Sequence, residues 1–336
     1  RVQELEQEEA IALKPQSTVQ WVDDKDQFSV FNEDLAVVFR KKDGRMISYQ
    51  WQGREWLHQE MGPYPNFWRA VTDNDYGNKM HQKNISWKYD GLHLELRQLN
   101  WSAEETAVKL TVIYGLPVAK TSFRIAYVIH GDGLIEVEAE LGMSQVKEDI
   151  PRIGLLMQVP VDLNLVTYYG RGPWENYSDR KASTFVDLFQ TSVTDMYVPY
   201  IRPQENGYRV DNRWMGITDD SGNGLLFVAQ AKETFDFSAL HMEQNDFDIT
   251  EGVDYATGNR SKHTIDIVEK ALTEVHIDLG QRGLGGDDSW WALPQKEYQL
   301  KANKKQAYSF MIMPILNGNK DEMKSTARYI RNSSRE

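Results

Sequence analysis

The sequence predicts an all-β chain built as a large antiparallel sandwich, and three observations carry that expectation. Apolar residues recur at every second position in several segments, glycine-containing turns separate those segments, and only one short stretch reads as a helix. Between Thr121 and His130, Phe123, Ile125, Tyr127 and Ile129 mark one face of a strand. Gly131-Asp132-Gly133 turns the chain, and Leu134 to Leu141 returns with acids on one face and apolar residues on the other. The same unit is expected at Ala36 to Arg40, the Asp43-Gly44 turn and Met46 to Trp51, with further strands at Ala107 to Tyr114 and Gly224 to Gln230. Glu297 to Leu300, Lys304-Lys305 and Ala307 to Met313 read as a closing hairpin, and Lys320 to Arg331 as the single helix. Many short strands joined by turns pack most readily as two layers of antiparallel sheet.

Composition narrows the partners. A net charge of −12 opposes nucleic acid and anionic membrane, which need basic patches. The absence of cysteine removes disulfides, thiolate metal sites and cysteine nucleophiles, and it is compatible with either redox compartment, so cytoplasm and periplasm both stay open. No apolar run reaches the ~18 residues of a membrane span. The acidic stretch at Glu4, Glu6, Glu8 and Glu9, followed by Lys14-Pro15-Gln16-Ser17, sets residues 1–18 apart as the tail of a preceding domain plus linker, with one domain from 19 to 336.

Two loops concentrate the chemistry: Gly170-Arg171-Gly172-Pro173-Trp174-Glu175-Asn176-Tyr177-Ser178-Asp179-Arg180 and Gly285-Gly286-Asp287-Asp288-Ser289-Trp290. Glycines allow close backbone approach, carboxylates accept from hydroxyls, and an indole offers a flat apolar face, a set that suits a sugar. The same residues also suit tight strand connections whose Trp side chains fill the core. The seven histidines form no metal-binding pair, no G-x-S-x-G is present, and neither G-x-G opens a βαβ unit. Asp73-Asn74-Asp75 offers oxygens to Ca²⁺ but lacks the spacing of an EF-hand loop, which favours a turn or a hydrogen-bonded loop. Asp73 with Asp75 and Asp287 with Asp288 are the carboxylate pairs in reach of glycosidic chemistry, which for retention needs a separation of ~5–5.5 Å.

Five segments in order resemble the C-terminal domain of glycoside hydrolase family 2 β-galactosidases, the part called the small chain (domain 5) in split enzymes. They are Asn66 to Gly77, Gly170 to Arg180, Asp195 to Tyr200, Arg202 to Gly207 and Leu284 to Trp290, and the match runs across roughly residues 20–315. The resemblance implies a β-supersandwich, galactose mutarotase-like in fold, with residues 1–18 finishing an immunoglobulin-like domain. It implies retaining hydrolysis of terminal β-galactosides by two Glu residues on a TIM barrel of the same parent, with Mg²⁺ and Na⁺ on those other domains and no cofactor here. The family acid/base follows Asn in a Gly-Asn-Glu motif, whereas the Asn32-Glu33 of this chain lacks the flanking glycine. The chain is therefore expected to carry no catalytic residue and to supply a wall of the pocket. Trp290 maps onto the stacking Trp. Arg69, Asp73, Asn74 and Asp75 map onto a bordering loop that moves on binding, with Val71 where the family has Pro. Asp287, Asp288, Glu175, Asn176 and Arg180 are assigned to loop support, and the parent is expected to form a homo-oligomer. The alternatives are a stand-alone carbohydrate-binding module, an aldose-epimerase-like enzyme for which a His would have to adjoin one of the five motifs, and a part that serves assembly alone.

Overall fold

The structure, a computed structural model, describes residues 17–248, 262–288 and 291–333. Most of the expected N-terminal tail lies outside them, as does Trp290.

The described strands form three sheets, and every pairing within them is antiparallel. A nine-stranded sheet runs in the order Phe185–Ser192, Leu165–Gly172, Trp214–Thr218, Gly224–Ala229, Gln306–Ile315, Ile135–Leu141, Thr121–His130, Ala107–Leu116, Glu95–Ala103. Against it lie two five-stranded sheets. One is a meander in chain order from Gln20–Asp23 to Arg54–Glu55. The other runs Arg209–Asn212, Phe235–Leu240, Thr273–Gln281, Arg152–Val159, Tyr64–Asn66. The all-β sandwich read from the sequence is what forms.

Alternation explains how the layers meet. In Thr121–His130 every second side chain is buried, and in Ile135–Leu141 the apolar residues turn inward while Glu136, Glu138 and Glu140 face out. Aromatic side chains then bridge the layers. Phe39 of the meander meets Tyr127 at a centroid distance of 5.2 Å, and Tyr168 meets Phe237 of the other small sheet at 5.3 Å. One continuous apolar core thus lies under both small sheets.

Two expectations need correction. Glu297 to Leu300 does not form a strand; it holds a 3₁₀ turn at Lys296–Tyr298 and a single bridge from Leu300 to Ile150. The 320–331 helix forms, as Lys320–Ser333, but short helices also occupy Asp73–Gly77, Met80–Lys83, Ile85–Leu92, Val193–Met196 and Gln244–Phe247. The first of these closes the first family segment, and the next two follow it directly. Asn32-Glu33 sits in a turn where the Asn32 side chain accepts from the Asp34 and Leu35 amides and donates to the Gly131 carbonyl.

Candidate functional site

The site is assembled from loops at one end of the sheet that carries Thr273–Gln281. It begins with a helix cap. Thr72 Oγ1 accepts from the Asp75 amide at 3.2 Å, and Asp75 Oδ2 accepts from the Thr72 amide at 3.1 Å, a reciprocal cap on Asp73–Gly77. Asp75 also receives Arg69 bidentately, Nε to Oδ2 at 3.0 Å and Nη2 to Oδ1 at 2.8 Å, and both side chains are completely buried. Burial alone would push the Asp75 carboxyl up, but the Arg69 and Arg282 guanidinium groups hold it below its ordinary value.

Arg69 uses its remaining N–H groups on a distant part of the chain. Nη1 donates to the Arg282 carbonyl at 2.6 Å and to Gln281 Oε1 at 3.3 Å, and Nη2 donates to the Gly283 carbonyl at 3.1 Å. One planar fork therefore ties the start of the helix to the chain leaving strand Thr273–Gln281. Asp179 grips the next residues, with the Leu284 amide donating to Oδ1 and the Gly285 amide to Oδ2, each at 2.9 Å. Arg180 donates to the Gly285 carbonyl, and Asp288 Oδ1 accepts from the Trp291 and Ala292 amides at 2.8 Å each.

Gly285 and Gly286 take φ of +70° and +96°. A Cβ on Gly286 would lie 2.7 Å from Asn74 Nδ2. Gly286→Ala is therefore expected to destabilise the chain by ~1–2 kcal/mol through backbone strain and to push Asn74 aside. A urea unfolding midpoint equal to that of the unmodified chain would refute this.

The remaining segments close the ring. Arg202 pairs with Asp73 at 2.8 Å and lies over the Tyr76 ring at 3.5 Å, while the Glu205 amide donates to the Ala70 carbonyl at 3.3 Å. Glu175 accepts from the Tyr200 hydroxyl and, at 2.9 Å, from the Gly207 amide. Asn176 is fully buried, accepting from the Val210 amide at 2.9 Å and donating to the Arg171 and Trp174 carbonyls.

Behind the loops runs a buried polar chain. Gln281 Nε2 donates to Glu205 Oε1 at 2.9 Å, and Arg152 Nη2 reaches the same oxygen at 2.9 Å. Arg152 Nε lies 3.1 Å from Asp278 Oδ2, close enough for an ion pair but too oblique for a hydrogen bond, and the Tyr208 hydroxyl donates to that oxygen at 2.9 Å. Burial pushes the Asp278 carboxyl up to about 6, against the opposing pull of Arg152. The folded state therefore holds this proton where the unfolded chain has lost it. Its contribution to stability is full below the ordinary carboxylate value near 3.8 and is lost as pH rises through about 6. Asp278→Asn is expected to flatten the fall in unfolding midpoint across that window; an unchanged slope would show that other groups set it.

The comparisons with known proteins follow this geometry. Residues 31–312 match the family model described as beta galactosidase small chain. The chain belongs to the β-galactosidase small-chain family. The small-chain domain is 34% identical to a β-galactosidase of Priestia megaterium over 88% of this chain and 27% of the relative. It is 30% identical to one of Lactobacillus delbrueckii subsp. bulgaricus, over 90% of this chain and 29% of the relative. It thus spans little more than a quarter of the curated relatives it matches. Among solved structures it is similar to a galactose mutarotase related enzyme of Lactobacillus acidophilus, at 10% identity and TM-score 0.46 over 86% of this chain and 97% of that one.

The small chain brings all five sequence segments together, but it sorts their residues differently from expectation. Arg69 and Asp75, expected to face a ligand, have no exposed surface; the cap and the fork enclose them completely. Asp73 is exposed yet bound to Arg202, and Asn74 is half-buried against the Gly285 carbonyl at 3.5 Å. Asp288 accepts from loop amides, Asp287 is exposed, and Arg180 turns to Gly285 and to Asp179 at 3.6 Å. Sequence reasoning passed over Asp179, Gln281 and Arg282. The acid next to Arg180 in the same motif was the available signal for the first; nothing local marks the other two.

In space, though not in sequence, a histidine adjoins the first family segment. His276 Nδ1 lies 3.3 Å from Asn66 Nδ2 and 3.1 Å from Arg152 Nη1, with Nε2 3.1 Å from Glu274. Asn66 and Glu274 border a cleft of about 290 Å³, whereas the cavity that His276 itself lines holds about 20 Å³, against the ~300 Å³ at which ligand pockets begin. His276 is buried and faces room for a water and not for a sugar ring, so the epimerase alternative gains nothing from it. Among the described residues no three His, Asp or Glu side chains are grouped to hold a metal ion, and no helix is long and apolar enough to cross a membrane.

Proposed function

We propose that this small-chain domain is the C-terminal domain of a retaining glycoside hydrolase family 2 β-galactosidase, and that it forms one wall of the galactoside pocket. The observation that carries the reading is the double clamp of Arg69 and Asp179 on residues 282–285. It presents a glycine-rich loop at fixed height while every acid buried around it is already engaged. On this reading the two catalytic Glu residues belong to a TIM barrel of the same parent, and Trp290, beyond the clamp, stacks on the sugar. Asn74 is the neighbouring polar contact and Asp73 the outer one, while Asp287, Asp288, Glu175, Asn176 and Arg180 hold the loop.

The rim supports packing against another domain. Trp174, Ile201, Ile265 and Trp291 all stand well exposed, and Thr264 Oγ1 donates to the Tyr200 carbonyl at 2.7 Å, joining the last segments of this rim. Any Mg²⁺ and Na⁺ used by the enzyme are assigned to the parent's other domains.

The test is hydrolysis of a chromogenic β-galactoside. The chain alone is expected to be inactive, and activity is expected when it is mixed with the remainder of its parent. Turnover by the chain alone would overturn the reading.

A further inference from the structure

The helix Lys320–Ser333 lies beyond the family-matched residues and builds a groove unrelated to the loops above. Met323, Ala327 and Ile330 bury its apolar stripe against Trp214, Leu226, Val228 and Met311 on the outer face of the nine-stranded sheet. Beside that stripe, Lys320, Lys324, Arg328 and Arg331 follow at helical spacing, so their side chains share one face. Like charges so placed repel, which makes the stripe a cost to the helix rather than a support.

Opposite them the sheet offers Arg213 and the outward ring of Tyr169, and the enclosed space is about 700 Å³, well within the ~300–1,000 Å³ of small-molecule sites. Asp187 is the single acid on its walls among the described residues. Among the described residues no carboxylate lies within ion-pair distance of Lys320, Lys324 or Arg213. Carbonyl oxygens orient two of the guanidinium groups. Arg331 donates to the carbonyls of Arg213, Ala229 and Glu233 at 3.1, 2.9 and 3.2 Å, and Arg213 donates to the Asp211 carbonyl at 2.6 Å. At Arg213 the carbonyl fixes the direction of the guanidinium without cancelling its charge.

On a chain of net charge −12, such a pocket is a local inversion of sign. We propose that this groove binds a phosphorylated small molecule that carries a ring, of the size of a sugar phosphate. The phosphate is taken by the donors of Arg213 and by the ammonium groups of Lys320 and Lys324. The ring lies against Tyr169, which is 40% exposed.

Calorimetric titration of the intact protein at low salt tests this, with glucose 6-phosphate, glucose, inorganic phosphate and a short polyglutamate peptide as probes. Glucose 6-phosphate is expected to bind and glucose not to, with affinity falling as salt is raised. The exposed-position double variant Lys320→Gln/Lys324→Gln is expected to weaken binding at least tenfold while leaving the unfolding transition unchanged. Tyr169→Ala is expected to weaken glucose 6-phosphate more than inorganic phosphate. No heat with glucose 6-phosphate, or binding indifferent to the double variant, would overturn the proposal. Binding of the peptide in place of the sugar phosphate would assign the groove to an acidic protein segment instead.

Discussion

Arg69→Met is expected to lower the unfolding free energy by roughly 3–5 kcal/mol, the largest stability effect of any single change considered. The guanidinium is wholly buried, and its loss leaves Asp75 charged and enclosed, with the Arg282 and Gly283 carbonyls without donors. Arg69→Lys is expected to recover only part, because one ammonium cannot span two carboxylate oxygens and two carbonyls in a plane. The double variant Arg69→Met/Asp75→Leu should be less damaging than Arg69→Met alone, since it removes the stranded charge. Denaturant unfolding of the three variants checks the series. A cost below ~1 kcal/mol for Arg69→Met would mean that the pair is no hub.

Trp290→Ala is expected to reduce kcat/KM of the reassembled enzyme by roughly 5–150-fold, the equivalent of ~1–3 kcal/mol of stacking and apolar burial. Unfolding of the isolated chain should barely change. Trp291→Ala is the informative partner. Its indole is 70% exposed, with Lys79 Nζ 5.6 Å from the ring centroid, so its removal is expected to have the smaller effect on catalysis. Steady-state kinetics with a galactoside decides between the two. Unchanged KM and kcat in Trp290→Ala would leave this domain a role in assembly alone.

The sheets were legible because their signal is local. Phe123, Ile125, Tyr127 and Ile129 declare a buried face by their spacing alone, and the Gly131-Asp132-Gly133 turn declares the partner strand. The helix Ile85–Leu92 was not, because its buried side chains are Trp87 and Asp90, too few and too mixed to show a stripe. Asp90 is enclosed because it accepts from the Val118 and Ala119 amides, contacts made by another part of the chain. The Glu297 to Leu300 segment alternates plausibly but meets no neighbouring strand beyond one bridge.

At the site, the residue types were legible and their directions were not. Arg69, Asp75, Asp287 and Asp288 all read as polar loop residues. What buries the first two is a contact with Gln281 and Arg282, more than two hundred residues onward, to which no periodicity points. The family segments fix which loops matter; only the fold decides which of their side chains look outward.

The clamp on residues 282–285 holds main chain, not side chains. Arg69 takes the carbonyls of 282 and 283, and Asp179 takes the amides of 284 and 285. Every amino acid carries a carbonyl, and every one but proline an amide. The grip itself is therefore indifferent to side-chain identity at 284, although Leu284 also packs on Tyr177, Tyr208 and Val210, and the exposed Asp287 lies past the grip altogether. New pocket surfaces can be tried on an unchanged mount, by natural drift or by a randomised library, with proline at 284 and 285 the substitution that the mount rejects.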